Sequence, residues 1–409
     1  MTHFDVLIVG AGHAGAALAA ALRQQGFAGS VGMIGSEPDY PYERPPLSKD
    51  YLSGEKDYER ILIRPEGFWA EKGIEVLRGE TVTAVDPENQ TVTTQSGSVF
   101  GYGNLVWATG GAPRRLDLEG GNLGGVMTMR TRADADHLSK LLPGVSNVVV
   151  IGGGYIGLES AAVLSKLGKQ VTLLEMQDRV LARVAGEPLS RFFESEHRAF
   201  GVDIRTGASI RRLVGHDQRV SGVELASGEV LKADLVLVGV GIVPAVEALQ
   251  KAGADCPNGV RVNAACRTNL PNVWAIGDCA LHPNPYLEGR EIRLESVQNA
   301  NDMAKTVAAQ LTGKDASYDA LPWFWSDQRD LKLQTLGLSV GHDEIVVRGD
   351  PASRSYSVIY LRNGAVCAID AVNAVKDYVQ AKKIIIEGAS ISPCDLADVT
   401  KELKTFWAR

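Results

Sequence analysis

The chain has 409 residues, 45% of them hydrophobic, and a formal net charge of −7. This length predicts two to three domains, and the acidic balance excludes a general nucleic-acid binder, which is usually basic. Five cysteines without a CxxC spacing fit neither a disulfide framework nor a zinc site. No signal-peptide pattern and no apolar run of membrane-spanning length occur in the sequence. These features predict a cytoplasmic protein with reduced thiols, no metal and no membrane partner.

The segment FDVLIVGAGHAGAALAAALRQQG predicts a buried strand, a glycine turn and an alanine-rich helix that ends at Gly26. Gly10 permits the tight turn, Gly12 lets the backbone approach a pyrophosphate, and Gly15 lets helix and strand pack closely. A second strand, SVGMIGSE, ends at Glu37, where an acid can bind the ribose of a dinucleotide. The alternative is a glycine-rich corner without a ligand.

The next notable segment, YPYERPPLSKDYL, carries Arg44 and Lys49 between its prolines. Pro45 and Pro46 restrict the backbone and bias the preceding Arg44 toward an extended conformation. Such a stiff loop can hold two basic side chains near a ligand with little ordering cost on binding. The alternative is a solvated surface loop.

The fingerprint recurs in NVVVIGGGYIGLESAAVLSKLGKQVTLLE, with a glycine turn from Gly152 to Gly157 and a second strand that ends at Glu175. Two complete strand–turn–helix–strand fingerprints in one chain imply two bound dinucleotides. Glu175 favours NADH, because a carboxylate at this place would repel the 2′-phosphate of NADPH.

Two further apolar segments, NLVWATGGAPRRL and PNVWAIGDCALHP, end in small-residue turns that indicate nucleotide contacts. In the second, Asp278 follows the carboxyl end of a strand, where α/β folds place ligands. Asp278 could bind a ribitol hydroxyl, and the alternative is that it caps a helix over CALH.

In chain order, GAGHAG, RPPLSK, ATGG, GGGYIGLE, VGVGIVP, AIGDCA, ESVQNA and PWFWSDQ resemble the motifs of a known family. This family is that of the oxygenase-coupled NADH-dependent ferredoxin reductases, of the putidaredoxin reductase and biphenyl dioxygenase ferredoxin reductase type. The resemblance covers most of the chain and implies the α/β fold of glutathione reductase, with a C-terminal α+β domain. It implies an FAD-binding domain in two parts (1–112 and 244–320), an NAD-binding domain (113–243) and a C-terminal domain (321–409).

The resemblance implies hydride transfer from NADH to FAD and two single-electron transfers to a [2Fe–2S] ferredoxin. That ferredoxin would serve a Rieske dioxygenase or a cytochrome P450 acting on an aromatic or terpenoid substrate. Transfer to a cysteine pair after the first fingerprint is excluded, because the first cysteine in the chain is Cys256. Redox-sensing flavoproteins of the apoptosis-inducing type and reductases of rubredoxin or small molecules stay open as alternatives. The oligomeric state is open between a monomer and a weak dimer.

The resemblance also implies catalytic roles for three residues. Lys49 would pair with Glu159 beside the flavin and stabilise its reduced form, and Trp325 would be the electron exit. The alternatives are an acid favoured by the helix dipole for Glu159 and a core aromatic for Trp325. The predicted cofactor-binding residues are Gly10, Gly12, Ala14, Gly15, Ser36, Glu37, Arg44, Lys49, Val82, Ala108, Thr109, Gly110, Arg130, Asp278, Ser296, Val297, Gly152, Gly154, Tyr155, Ile156, Gly157, Glu159, Glu175, Arg183 and Gly241.

Two positions depart from the pattern of this family. Ser36 stands where an aspartate is common before the ribose acid, which shifts the expected ribose contact to Glu37. Pro244 is followed by Ala245, where the family often has asparagine.

Overall fold

The computed structural model describes residues 1–407, which form two compact units. The first unit comprises Met1–Glu43, Asp57–Ala112 and Val243–Pro322. The second comprises Arg44–Lys56, Pro113–Ile242 and the segment from Trp323 onward. The sequence-based division assigned the whole proline segment to residues 1–112, but its residues 44–52 belong to the second unit and only residues 40–43 to the first. The four-segment division itself stays a prediction, and the last two residues of its segment 321–409 lie outside the described residues.

The first unit is built on a sheet that is parallel at its centre. In spatial order its strands are Ile74–Arg78, Val31–Gly35, Thr2–Val9, Val99–Trp107, Thr91–Thr94 and Val82–Asp86, and Val273–Ala275 pairs along Val99–Trp107. Apolar side chains of the central strand Thr2–Val9 are buried on both faces, as expected for a parallel sheet covered by helices. The helices of this unit are His13–Gln24, Tyr58–Ile61, Glu66–Glu71, Glu247–Lys251 and Val297–Leu311.

The first unit also contains a smaller sheet. Its strands are Val260–Arg261, Ala280–Pro283 and Glu291–Arg293, and the 3₁₀ turns Gly277–Cys279 and Pro285–Leu287 flank them. The short strands Gly111–Pro113 and Ile242–Pro244 contain two of the five points where the chain passes from one unit to the other.

The second unit contains a fully parallel sheet. Its strands, in spatial order, are Asp203–Arg205, Gln170–Leu174, Asn147–Ile151, Leu235–Val238 and Val126–Thr128. An antiparallel sheet of Ile210–His216, Arg219–Leu225 and Val230–Lys232 accompanies it. The helices are Arg132–Leu141, Tyr155–Lys166 and Glu187–Ala199, with 3₁₀ turns at Pro45–Ser48 and Leu142–Gly144.

The last part of the second unit is an antiparallel sheet with helices. Its strands, in spatial order, are Trp323–Gln328, Leu331–Gly337, Ala365–Val372, Tyr356–Arg362 and Glu344–Arg348. The helices are Val375–Glu387 and Pro393–Ala397, with 3₁₀ turns at Pro351–Ser353 and Leu403–Phe406. Within residues 1–407, no helix has the length and apolar character needed to cross a membrane.

Both predicted fingerprints are confirmed as strand–turn–helix–strand units. The first runs from Thr2–Val9 through His13–Gln24 to Val31–Gly35, and the chain leaves the helix at Gly26, whose φ is +85°. The second runs from Asn147–Ile151 through Tyr155–Lys166 to Gln170–Leu174.

Candidate active site

The first glycine turn has a geometry that only glycine allows at two positions. Gly10 has φ +115°, and a Cβ there would lie 2.2 Å from the carbonyl oxygen of Ala108. A Cβ on Gly15 would lie 1.9 Å from the carbonyl oxygen of Gly10. At Gly12, by contrast, nothing else in the described chain comes within 4 Å of the Cβ position. The helix therefore starts beside open space, which fits a pyrophosphate bound at a helix N-terminus.

The second glycine turn repeats this geometry in the second unit. Gly152 has φ +107°, and its Cβ would lie 2.5 Å from the carbonyl oxygen of Gly239. A Cβ on Gly157 would lie 2.0 Å from the carbonyl oxygen of Gly152. Gly154 again faces space that the rest of residues 1–407 leaves open within 4 Å. The second turn thus fits a second dinucleotide for the same physical reason as the first.

An acid follows the second strand of each fingerprint. Glu37 comes two residues after Val31–Gly35 and accepts a hydrogen bond from the hydroxyl of Tyr42, while Ser36 is exposed. Glu175 directly follows the strand Gln170–Leu174 and lies against the second glycine turn. Its Oε2 accepts from the amide of Gly153 at 2.7 Å, and its Oε1 accepts from the amide of Gln177 at 2.8 Å. Each carboxylate thus follows the second strand of its fingerprint, and the ribose contacts of Glu37 and Glu175 stay predictions.

Several other predicted FAD contacts lie around the first turn. Ala108 approaches Gly10, and a Cβ on Gly277 would lie 3.0 Å from the Cβ of Ala14, so the turn that carries Asp278 packs against the start of the first helix. The chain continues from this turn as the strand Ala280–Pro283, so the alternative of a helix over CALH is wrong.

The remaining predicted residues of the first unit have local roles. Thr109 donates from its hydroxyl to the carbonyl of Ala245 at 2.7 Å, and Gly110 has φ +63°. Ser296 caps the helix that begins at Val297 by accepting from the amide of Asn299 at 3.0 Å. Val82 begins the edge strand Val82–Asp86, which is separated from the strand Thr2–Val9 by two other strands of the sheet.

In the second unit, the proline segment brings Lys49 to Glu159. Lys49 Nζ lies 3.0 Å from Glu159 Oε1, so the contact implied by the family resemblance is confirmed. Ser48 donates to Glu159 Oε2 at 3.1 Å, and Ser326 donates to Glu159 Oε1 at 2.6 Å. Sequence reasoning missed both serines, although Ser48 lies within the RPPLSK motif and Ser326 within PWFWSDQ.

The Glu159 carboxylate is buried, with only 5% of its residue surface exposed. Burial raises the pKa of Glu159, and the charge of Lys49 together with the hydroxyls of Ser326 and Ser48 opposes this rise. A buried carboxylate with a cation and two donors is a satisfied group, whereas either charge alone in this place would be costly.

The backbone of Arg44 differs from the prediction of an extended conformation, which is wrong. Arg44 has φ −78° and ψ −33°, in the helical region, and precedes the 3₁₀ turn Pro45–Ser48. Two hydrogen bonds stabilise this conformation against the steric bias of a residue before proline. The carbonyl of Arg44 accepts from the amide of Leu47 at 3.0 Å, and its guanidinium donates to the carbonyl of Arg130 at 2.7 Å. The segment is also not a solvated loop, because Leu47 and Ser48 are buried.

Aromatic side chains lie next to the second glycine turn. Tyr155, the first residue of its helix, packs against Phe324 with ring centroids 4.7 Å apart. Phe324 and Trp325 are 6.3 Å apart, and Trp323 and Trp325 are 5.6 Å apart. Burial raises the pKa of Tyr155 well above its usual value. Of the two tryptophans in this cluster, Trp323 is exposed and Trp325 is half-buried.

Of the predicted nucleotide contacts beside the second glycine turn, Arg183 and Gly241 lie close to one another, and Ile156 is exposed. The guanidinium of Arg183 lies 3.9 Å from the Cβ position of Gly241, whose φ is +95°. Ile156 is 49% exposed, so a ligand at the turn would cover an apolar side chain. Of the other predicted contacts in this unit, Tyr155 and Glu159 lie on the helix Tyr155–Lys166, and Glu175 lies at the end of the strand that follows this helix.

The chain matches the family described as pyridine nucleotide-disulphide oxidoreductase over residues 4–304, and the reductase C-terminal family over residues 323–407. It is 56% identical over 409 residues to the 5,5′-dehydrodivanillate O-demethylase ferredoxin reductase subunit of Sphingobium sp., covering 100% of this chain and 99% of that relative.

Two solved structures are similar over nearly the whole length. One is the ferredoxin reductase for the CYP199A2 system from Rhodopseudomonas palustris, with a TM-score of 0.95 and 40% identity, covering 99% of this chain and 100% of that one. The other is the covalent putidaredoxin reductase–putidaredoxin complex, with a TM-score of 0.95 and 39% identity, covering 99% of this chain and 98% of that one.

Proposed function

The chain belongs to the pyridine nucleotide-disulphide oxidoreductase family and, within it, to the oxygenase-coupled ferredoxin reductases, and we propose that it carries electrons from NADH through FAD to a [2Fe–2S] ferredoxin. The family indicated by the ordered motifs and the glutathione-reductase-like α/β fold are thereby confirmed. The proposal rests on one observation above all: two glycine turns with open Cβ positions, at Gly12 and Gly154, occur in a chain whose first cysteine is Cys256. Two dinucleotides without a nearby disulfide require an external electron acceptor.

FAD and NADH fit the residues that the structure places at the two turns. Bound FAD supplies a group that accepts a hydride and releases electrons singly. We propose that Gly12, Glu37 and Asp278 bind FAD, and that Gly154 and Glu175 bind NADH. The open Cβ positions support the proposal, because a phosphate can approach the backbone there without displacing a side chain.

Lys49 and Glu159 are proposed to act in the transfer of the hydride. A fixed cation lowers the energy of negative charge that develops during reduction, provided that it is already oriented before the reaction. The 3.0 Å ion pair with Glu159 supplies this orientation, since it holds the flexible lysine side chain in one place. Glu159 also balances the lysine charge while no reduced cofactor is present.

Trp325 is proposed as the point of electron exit to the ferredoxin. Its ring is adjacent both to Phe324, which packs against Tyr155, and to the exposed Trp323. Replacement of Trp325 by alanine should slow ferredoxin reduction and leave the reduction of the flavin by NADH unchanged. Trp323→Ala is the matched control, and equal effects of both variants on ferredoxin reduction would contradict a specific role for Trp325.

The physiological setting is part of the same proposal. The Sphingobium relative described above is named for an O-demethylase system, so we propose that this chain serves an oxygenase that acts on an aromatic substrate. We place the reaction in the cytoplasm, because all five cysteines are free thiols and a reducing compartment maintains them.

The proposed function is tested by supplying the purified holoprotein with NADH and three alternative acceptors under anaerobic conditions. A [2Fe–2S] ferredoxin, a rubredoxin and a small quinone distinguish the candidate reactions, and dioxygen consumption is followed separately. Rapid reduction of the ferredoxin, with slow reduction of the others and little oxidase activity, is the expected result. Preferential reduction of rubredoxin or the quinone would assign the chain to a different activity.

A further inference from the structure

A buried chain of hydrogen bonds continues from Glu159 into the interior of the second unit. Beyond the 2.6 Å contact between Glu159 and Ser326, the Nε2 of Gln328 lies 3.1 Å from the hydroxyl of Ser326. The Oε1 of Gln328 lies 2.7 Å from the Nε2 of His197. Ser326 is 0% exposed, and Gln328 and His197 are each 2% exposed. Four polar side chains therefore form one continuous, buried path of hydrogen bonds.

Three separate elements supply this path, and the first of them is the helix Tyr155–Lys166, which carries Glu159. Ser326 and Gln328 lie on the strand Trp323–Gln328, and Asp327 between them is exposed, so the alternation of the strand turns both toward the interior. His197 lies near the end of the helix Glu187–Ala199. Such a set of buried polar groups is costly unless every link is formed.

The direction of each hydrogen bond follows from its partner. An ionised carboxylate can only accept, so the single hydroxyl proton of Ser326 is donated to Glu159. The hydroxyl oxygen of Ser326 then accepts from the amide nitrogen of Gln328, which leaves the amide oxygen to accept from His197. His197 therefore carries its proton on Nε2, and its Nδ1 is buried without a hydrogen-bond partner among residues 1–407.

We propose that His197, Gln328 and Ser326 form a positioning chain that keeps the Glu159 carboxylate ionised and turned toward Lys49. All donors in the chain point toward the carboxylate, so each link polarises the next and stabilises the negative charge at its end. The three residues act through Glu159 and are positioning residues. The consequence for flavin reduction rests on the proposed function, whereas the effect on the Glu159 carboxylate does not.

The charges around the chain agree with this direction. Glu159 is contacted by Lys49, Ser48 and Ser326, and its negative charge also contributes to the raised pKa of Tyr155. Burial raises the pKa of Glu159, while Lys49 first and then Ser326 act to lower it. Removal of the Ser326 hydroxyl should therefore raise the pKa of Glu159 further, so that the carboxylate is lost at a higher pH.

At its other end the chain carries no positive charge. Burial lowers the pKa of His197, and the hydrogen bond to Gln328 acts in the opposite direction. The nearby positive charge of Arg329 lowers the pKa further. His197 is thus a neutral donor at neutral pH, as the assigned proton on Nε2 requires. A protonated His197 would have a second buried N–H without an acceptor in the described residues.

The test measures the ionisation of Glu159 in the holoprotein by infrared difference spectroscopy as a function of pH. The carboxyl band of Glu159 is identified by its loss in Glu159→Gln. Ser326→Ala should shift the midpoint of this band to higher pH. The matched control is Ser357→Ala, which removes a buried hydroxyl that donates to Asp377 at 3.1 Å, away from the chain. This measurement needs neither NADH nor ferredoxin, so it stands whether or not the proposed function is correct.

The second readout is the pH dependence of flavin reduction by NADH in stopped flow. The acid limb of the Ser326→Ala profile should move to higher pH, with a loss on the order of tenfold at neutral pH and recovery at alkaline pH, as expected for one hydrogen bond to a charged group. Recovery at high pH separates a positioning role from general damage to the fold, which a change of pH would not repair.

A pair of variants at His197 tests the far end of the chain without altering Ser326. His197→Met removes the donor and should shift the pH midpoint of the Glu159 carboxyl band in the same direction as Ser326→Ala, by a smaller amount. His197→Gln keeps an N–H donor and should have the wild-type midpoint. A midpoint that is unchanged in both Ser326→Ala and His197→Met, or that moves as far in Ser357→Ala, would overturn the proposal.

Discussion

The ammonium group of Lys49 and the carboxylate of Glu159 form a 3.0 Å ion pair between the proline segment and the helix of the second glycine turn. Both side chains are largely buried, with 13% and 6% of their surfaces exposed. Because a buried charge without its partner is strongly unfavourable, the two residues should behave as one unit when either is replaced.

The first prediction concerns this unit. Lys49→Ala and Glu159→Ala should each slow flavin reduction by NADH, and the double variant should be less impaired than the product of the two single effects. Lys49→Ala should also shift the flavin potential, because a cation that stabilises the reduced form is lost. Stopped-flow reduction and potentiometry of the four proteins measure this.

Lys56→Ala is the matched control for the loss of a lysine from the same segment. Lys56 pairs with Asp50 at 2.9 Å in a more exposed position, where an ion pair contributes little. This variant should reduce its flavin at the wild-type rate. Strictly multiplicative effects of Lys49→Ala and Glu159→Ala, with an unchanged flavin potential, would mean that the two residues act independently.

The second prediction separates the two dinucleotide sites. Gly12 and Gly154 have extended backbone conformations that alanine can adopt, and neither Cβ would meet another described part of the chain within 4 Å. Gly12→Ala should therefore fold normally but lose FAD affinity on the order of 10- to 100-fold, because the methyl group displaces a phosphate from its amide donors. Gly154→Ala should retain FAD and raise the KM for NADH.

Each of these variants serves as the control for the other. FAD content is measured by absorbance after gel filtration, and the KM for NADH by steady-state kinetics. Loss of FAD from Gly154→Ala but not from Gly12→Ala would reverse the assignment of the two turns.

The third prediction concerns the choice of nucleotide. Glu175 lies at the second glycine turn. Repulsion between its carboxylate and the 2′-phosphate of NADPH should make kcat/KM for NADPH roughly 10- to 100-fold lower than kcat/KM for NADH. Glu175→Ala should narrow this preference, and Glu175→Arg should narrow it further. Glu187→Ala, which removes an exposed acid from a neighbouring helix, should leave the preference unchanged. Equal wild-type efficiencies with both nucleotides would rule out this role of Glu175.

The two glycine turns could be predicted from sequence because local geometry dictates them. Gly10 and Gly152 combine a positive φ with a Cβ position inside the contact distance of a carbonyl oxygen, so the spacing of the glycines specifies the turn. Local rules were insufficient at Arg44, where two hydrogen bonds stabilise a conformation that the following proline disfavours.

The polar surroundings of Glu159 could not be derived from local pattern. The contact with Lys49 followed from the family resemblance, and the chain through Ser326 to His197 joins segments that only tertiary packing brings together. Ser326, Asp327 and Gln328 are all polar, so the sequence carries no alternation that could have indicated which of them face inward.

The fourth prediction concerns stability and pH. Asp370 is buried and accepts a hydrogen bond from the hydroxyl of Tyr360 at 2.5 Å, and this hydroxyl accepts from the amide of Gly186 at 2.8 Å. Burial raises the pKa of Asp370 from 3.8 to about 7. The protonated form therefore stabilises the fold fully below pH 3.8, and this contribution is lost as the pH rises through about 7.

Asp370→Asn removes the charge and keeps an acceptor for Tyr360. The Tm of this variant relative to wild type should rise between pH 5 and pH 8, because only wild type must bury a carboxylate at the higher pH. Asp327→Asn, at an exposed position, should show no such trend. A constant difference in Tm between Asp370→Asn and wild type across this range would show that Asp370 does not titrate there.

We expect electrons to pass from NADH through the bound flavin to a one-electron acceptor. Anaerobic titration of the holoprotein with NADH in the presence of excess oxidised [2Fe–2S] ferredoxin measures this transfer. Hydride transfer delivers two electrons, so each NADH oxidised should reduce two ferredoxin molecules. The loss of the iron–sulfur absorbance of the ferredoxin monitors this reduction. The reaction should require bound FAD and slow in Lys49→Ala. Full reduction of the flavin by NADH without reduction of the ferredoxin would contradict the account.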